Sequence, residues 1–201
     1  ASMREAMARS GVEPGSIASI SVSAQRCCAI FLDAQERLVR PMISWQDNRA
    51  HEEAEEIGRK IPADEFYDIT GMPLNTTWMV SKILWVRRHE PENWKRVAKV
   101  VQLQDYALKM MGAEEFFDDV SDAGFYGLWD PSAFDWSDRL LGLLGLDRSL
   151  FPKPSASGTR IGSVSAAAAA RAGLKAGTPL CIGAGDQNSA AVGAGVVRKG
   201  Y

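Results

Sequence analysis

The sequence predicts an α/β fold, on three observations. Short apolar runs at residues 28–32, 97–104 and 179–182 have the length of strands. The stretches His51–Lys60 and 78–88 set apolar residues three or four positions apart, as a helix requires. The two kinds of segment alternate along 201 residues, which points to helices layered on a sheet.

The elements follow in order. Residues 3–9 read as a helix and residues 10–16 as a Gly/Pro/Ser turn. Residues 17–22 alternate in strand fashion. Strands are predicted at 28–32 and 38–45, joined by a turn at 33–37. The charged helix His51–Lys60 carries Ala54 and Ile57 as its apolar spots, with its charges expected to face solvent. His51 and His89 are expected to be solvated as well. A short helix and turn at 62–70 precede a helix at 78–88, with Met79, Ile83 and Val86 along one side. A buried strand is predicted at 97–104 and a helix at 106–111, which Gly112 can close. A helix at 137–144 ends at Gly145, and residues 155–162 resemble a Ser/Gly linker. The Ala-rich helix at 165–172 has Gly173 as its C-cap. No internal repeat is found.

Composition limits the function. Hydrophobic residues make up 46% of the chain, enough for a core, and the formal net charge is −2. That balance leaves no basic footprint for nucleic acid. No apolar run is long enough for a membrane span, and no secretory signal pattern is found. Cys27, Cys28 and Cys181 lack Cys-x-x-Cys spacing. Neither a disulfide framework nor a zinc site is expected, no metal ligand is assigned, and a reducing cytoplasm is the default.

The stretch Pro179-Leu-Cys-Ile-Gly-Ala-Gly-Asp186-Gln-Asn-Ser-Ala-Ala-Val-Gly-Ala-Gly195 carries the most chemistry. It reads as a strand, a tight turn and a helix N-terminus. Gly183 and Gly185 are taken as residues free to adopt backbone angles closed to others and to let a ligand come close. Asp186 falls where the positive end of a helix favours negative charge. A carboxylate at a strand tip can accept the proton of a substrate hydroxyl. The pattern also allows Asp186 to be an N-cap.

This segment resembles the catalytic-aspartate motif of the FGGY carbohydrate kinases. Three more stretches match that family in the same order. Ile17-Ala-Ser-Ile-Ser-Val-Ser-Ala-Gln-Arg-Cys-Cys-Ala-Ile-Phe-Leu-Asp33 is similar to its substrate-contacting strand and turn. Ile43-Ser-Trp-Gln-Asp-Asn-Arg49 is similar to its tryptophan–aspartate–arginine block, and Thr70-Gly-Met-Pro73 with Lys82-Ile-Leu-Trp85-Val86 to its helical insert. Asp105-Tyr-Ala-Leu and Asp119-Val-Ser-Asp-Ala fit further along. The resemblance runs from Ile17 to Gly200. It implies a ribonuclease-H-like core of the actin/hexokinase ATPase type with a helical insert. It also implies ATP, with Mg²⁺, phosphorylating a small sugar or polyol. Residues 1–201 are then expected to be an internal piece of a kinase N-terminal domain. The first phosphate loop, a phosphate-binding turn beyond Lys199-Gly-Tyr201 and the C-terminal domain would lie elsewhere. Such a piece is expected to be inactive alone and to self-associate through an uncovered edge at 17–22, so a homo-oligomer is anticipated.

Carried over residue by residue, the resemblance implies Asp186 as the group that accepts the hydroxyl proton. It implies Gln25, Arg26, Trp45, Trp78 and Gln187 as substrate-binding residues. An amide can donate to one sugar oxygen and accept from another. An indole can pack on the apolar face of a polyol and bind an oxygen through its N–H. Asp47 and Arg49 are read as a structural pair, and Lys82 and Trp85 as scaffold. Cys27 departs from the pattern, since glycerol kinases place a glutamate there and xylulokinases a histidine. A thiol is a poor partner for hydroxyls. The alternative reading is a non-catalytic carbohydrate-binding or regulatory module derived from the same fold.

Overall fold

The computed structural model describes residues 2–198 and Gly200. Lys199 and Tyr201, at the expected approach to a phosphate-binding turn, lie outside the described residues. In chain order come α1 (Ser2–Ser10), β1 (Ile30–Leu32), α2 (His51–Lys60), α3 (Ala63–Thr70), α4 (Met79–His89) and α5 (Pro91–Trp94). Next are β2 (Lys99–Val101), α6 (Leu103–Met111), β3 (Phe117–Asp119), α7 (Val120–Ala123), β4 (Trp129–Asp130) and β5 (Asp135–Trp136). The rest comprises α8 (Asp138–Leu144), β6 (Lys153–Ser155), β7 (Arg160–Ser163), α9 (Ala166–Ala172), β8 (Pro179–Cys181) and α10 (Asp186–Gly193). The strands are short and join in pairs. β1–β2, β4–β5 and β7–β8 are antiparallel, and β3–β6 is parallel.

Several segments differ from the sequence reading. Residues 17–22 meet the sheet through one parallel bridge, Ile20 to Leu180. There the Ile20 N–H donates to the Pro179 carbonyl and the Cys181 N–H to the Ile20 carbonyl, both at 2.9 Å. Residues 38–45 form bridges only at Leu38 and Ile43, with Pro41 between them offering no N–H to a ladder. The strand expected at 97–104 stops at Val101. The Asp105 carboxylate accepts the Gln102 N–H at 2.8 Å, and this capping box starts α6 at Leu103. The linker expected at 155–162 is instead a turn flanked by β6 and β7.

The largest core joins α2, α3, α4 and α8 to β1, β2, β4 and β5, with Phe31, Ile57, Phe66, Met79, Ile83 and Tyr126 all buried. Tyr126, Trp129, Trp136 and Phe151 meet edge-on or tilted, with centroids 4.9–5.8 Å apart. The Trp136 indole donates to the Pro152 carbonyl at 3.0 Å. Such pairs add to the gain from buried area alone. A second cluster, including Leu108, Ile161, Ala169, Leu180 and Ile182, packs α6 and α9 against β7–β8. It fixes β8, from which the chain turns into α10.

The charges of α2 do not all face solvent. Laying Ala54 and Ile57 against the core carries Glu53 inward to 1% exposure. A buried carboxylate needs partners. It accepts from Arg88 at 2.7 Å and meets His89 Nε2 at 3.3 Å. His89 also stacks on Trp85, yet 41% of its side chain stays exposed, as expected from its charged neighbours. His51 remains exposed beside Glu55.

Candidate active site

The turn from β8 into α10 depends on space rather than on unusual backbone angles. Neither Gly183 nor Gly185 has positive φ, contrary to the sequence expectation. A Cβ on Gly183 would lie 1.8 Å from the Val22 carbonyl oxygen, and one on Gly185 would lie 2.5 Å from Arg26 Nε. Gly185 is the N-cap of α10 and Asp186 the first helical residue, so Asp186 is not the cap its sequence also allowed. The Gly185 N–H donates to Ser121 Oγ at 3.1 Å, tying the turn to α7. Asp186 Oδ1 accepts the Gln187 N–H at 2.8 Å. The Asp186 side chain is 52% exposed.

A cavity of about 380 Å³ opens beside Asp186. Gln25, Arg26, Trp45, Trp78, Asp186 and Gln187, the six residues singled out from the sequence, all line it, together with Cys27, Thr77 and Phe125. Arg26 is only 8% exposed. Its Nε lies 3.5 Å from Asp186 Oδ1 and 3.6 Å from Asp122 Oδ1, and its guanidinium stands over the Phe125 ring at 4.2 Å. Neither Nε nor Nη2 makes a hydrogen bond within the protein, and a buried donor left unpaired is costly until a ligand or water accepts from it. The exposed Trp45 donates its indole N–H to Gln25 Oε1 at 3.3 Å. Trp78 sets its ring edge against Phe125, with centroids 5.6 Å apart. Its N–H is occupied by the Pro73 carbonyl at 2.5 Å, so Trp78 offers the cavity a ring and not the expected donor. Asp47 and Arg49 pair at 2.7 Å, and Arg49 lies over the Trp85 ring at 4.8 Å. That arrangement suits the structural role read for them.

Cys27 has φ 58°, a left-handed conformation that costs a residue with a Cβ about 1–2 kcal/mol. Burial pushes its thiol up to about 12, so it faces the cavity as a neutral, weakly polar group. The sequence alone assigns no role to Phe125 or Asp122. The signal it does offer is Asp119-Val-Ser-Asp-Ala, which contains Asp122 and ends just short of Phe125.

Asp122, beside Arg26, belongs to a group of four buried carboxyls with Asp105, Asp118 and Asp119, each exposed by 1% or less. Asp119 accepts from the Ser121 N–H at 2.7 Å and from Gln104 at 3.0 Å. Asp105 accepts from the Gln102 N–H and from the Tyr126 hydroxyl. Neither oxygen of Asp118 has a donor. Burial is the chief cause that pushes Asp105 up to about 7, Asp122 up to about 8 and Asp118 well above the usual carboxylate range. Asp118, Asp119 and Asp122 bring an oxygen each within 4.8 Å of the others, close enough for a charge on one to repel a charge on the next. The Arg26 guanidinium beside Asp122 disfavours a cation in the same place.

A larger cavity of about 710 Å³ lies elsewhere, with Asp33, Lys99, Lys109, Glu115, Trp136 and Arg148 among its walls. Part of its charge is already paired, as in Lys109–Glu36 at 3.2 Å and Arg148–Asp135 at 2.7 Å. None of the six site residues borders it. The smaller cavity is therefore the candidate site.

The chain also matches known proteins along nearly its whole length. Residues 1–193 match the family described as the FGGY family of carbohydrate kinases, N-terminal domain. The xylulose kinase of Escherichia coli strain K12 is 35% identical over 182 residues, covering 90% of this chain and 37% of that protein. The autoinducer-2 kinase of the same strain is 30% identical over 198 residues, covering 98% of this chain and 37% of that protein. The chain thus spans little more than a third of the length of these relatives. The xylulose kinase structure from Rhodospirillum rubrum matches with a TM-score of 0.90 at 27% identity, over 98% of this chain and 40% of that one. The fold is accordingly the ribonuclease-H-like type of actin and hexokinase. With the match extending over nearly all of its length, the chain belongs to the FGGY family of carbohydrate kinases, in the region of their N-terminal domain.

Proposed function

We propose that the protein containing this chain transfers the γ-phosphoryl group of ATP to a hydroxyl of a small sugar or polyol. Asp186 serves as general base. The observation that carries the reading is the convergence of Gln25, Arg26, Trp45, Trp78, Asp186 and Gln187 on one cavity from four separate stretches of sequence. Gln25 and Gln187 supply amides that can both donate and accept, and Arg26 supplies unpaired N–H groups. Trp45, Trp78 and Phe125 supply apolar faces. A half-exposed carboxylate at the cavity wall suits proton abstraction, which a module that only binds sugar would not need.

The walls, with their aromatic rings, amides and single guanidinium, fit the acceptor rather than the nucleotide. ATP and Mg²⁺ supply the phosphoryl group when bound, and their contacts are assigned to no residue of this chain. We take residues 1–201 as the sugar side of a longer, cytoplasmic kinase. No helix among the described residues is long and apolar enough to cross a membrane. Ile20 bonds to β8 on one side, and pairing of its other side with a second copy would give a homo-oligomer. Light scattering on this chain tests that assembly, and a stable monomer at high concentration counts against it.

The substrate follows in part from Cys27. The neutral thiol offers a sugar hydroxyl little, and an unpaired hydroxyl costs about 1–3 kcal/mol, or roughly 5- to 150-fold in affinity. Glycerol has few other groups to offset this. The full-length enzyme is expected to show a higher kcat/KM for a pentose, a hexose or one of their acids or alcohols than for glycerol. A panel of these substrates tests both claims. Glycerol as the best substrate overturns the role given to Cys27, and no phosphorylation of any sugar or polyol overturns the kinase reading.

A further inference from the structure

Lys82 lies on α4 with no exposed surface. Its ammonium donates to the Cys27 carbonyl at 3.0 Å and to the Thr77 carbonyl at 2.8 Å. Both residues line the candidate sugar cavity, on segments far apart in sequence. The other polar group of Cys27 is held as well. Gln102, also fully buried, accepts the Cys27 N–H at 2.8 Å and donates to the Asp122 carbonyl at 3.0 Å. Two buried side chains therefore grip the N–H and the C=O of the residue whose φ is 58°. A buried ammonium is a poor way to fill a core, where an apolar side chain of similar volume is often at least as stabilising. Burial also pushes the Lys82 ammonium below its ordinary range. Neighbours such as Ile83 and Val86 already supply apolar packing on α4.

We propose that Lys82 and Gln102 are positioning residues that clamp the left-handed Arg26–Cys27 turn against the Thr77–Trp78 wall and so set sugar recognition. The clamp explains how Cys27 holds a conformation that glycine would adopt freely. It also fixes where Arg26 and the thiol stand relative to Asp186. The part concerning recognition rests on the cavity being the sugar site.

The test uses the full-length protein and two readouts. Hydrogen exchange across residues 24–28 and 75–78 reads the clamp without any substrate. Steady-state kinetics then read KM for sugar and for ATP separately. Lys82→Met is expected to speed exchange in those two segments and not in α9. It should raise the sugar KM about 10- to 100-fold, the loss expected for a hydrogen bond to a charged group, with the ATP KM unchanged. Adding Cys27→Gly to Lys82→Met should slow exchange at 24–28 again, because glycine needs no clamp at that φ. If Lys82→Met does not fold, Gln102→Met releases the same turn from the N–H side and gives the same two readouts. A folded variant with wild-type exchange at 24–28 overturns the clamp. Faster exchange with an unchanged sugar KM overturns its role in recognition. If the wild-type protein phosphorylates no sugar, the kinase reading fails, while the exchange data still decide whether the clamp exists.

Discussion

Asp186→Asn in the full-length protein is expected to lower kcat by about 10²- to 10⁴-fold, the usual loss when a general base is removed, while sugar binding is largely kept. The amide has the size of the carboxylate but cannot take a proton. The surroundings favour a clean result. The side chain is half exposed, so the amide that replaces it meets water rather than a buried site. Arg26 keeps Asp122 at 3.6 Å and the Phe125 ring beneath its guanidinium. The turn itself is held by the Gly185 N–H on Ser121 rather than by the Asp186 side chain. The measurement is kcat and KM for the best substrate of the panel, with sugar affinity followed separately by calorimetry. A variant with wild-type kcat removes Asp186 from the mechanism. A variant that loses sugar affinity and kcat in parallel makes it a binding residue instead.

The candidate site is more legible in the sequence than the sheet is. Asp186, Gln187, Gln25, Arg26 and Trp45 sit in short motifs that can be placed in order along the chain without knowing the packing. The physical reasons for individual residues are harder to read. Gly183 and Gly185 suggest backbone freedom by their type alone. Their actual cause is the approach of Val22 and Arg26, contacts more than 150 positions away that local pattern cannot carry. The Trp78 N–H looks free for a substrate because nothing in the sequence shows that the Pro73 carbonyl lies within its reach. The strands at 38–45 and 97–104 come out too long, because apolar runs do not register where Pro41 interrupts a ladder or where Asp105 begins a helix. The carboxyl cluster is invisible for another reason. Asp105 and Asp119 each sit at the start of a helix, and only tertiary packing gathers them with Asp118 and Asp122 into one dry region.

That dry region carries the second large expected effect. Stability should fall as pH rises from about 5 to about 8.5, and Asp118→Asn should flatten the fall. The direction follows from linkage. In the unfolded chain these carboxyls titrate near 4, whereas burial holds Asp105 up to about 7, Asp122 up to about 8 and Asp118 high as well. A group whose pKa is raised on folding contributes its full stabilisation below the unfolded value and loses it as pH climbs through the folded value. A tenfold difference in proton affinity between the folded and unfolded chain corresponds to about 1.4 kcal/mol, so even one such group lowers stability by several kcal/mol across this window. Arg26 beside Asp122 reduces the loss for that residue, while no donor reaches either oxygen of Asp118. Asp118 is therefore the position where ionisation is least compensated. Asparagine there stays neutral at every pH and can donate to a neighbouring carboxylate. The check is the Tm of wild-type and Asp118→Asn protein by calorimetry at intervals from pH 5 to pH 9. Ion pairs remote from the cluster, such as Glu53 with His89, are the same in both proteins, so the difference between the curves isolates the cluster. Curves that converge toward pH 5 and separate above pH 7, with the variant the more stable, are the expected result. Parallel curves would mean that Asp118 does not hold its proton in the folded protein.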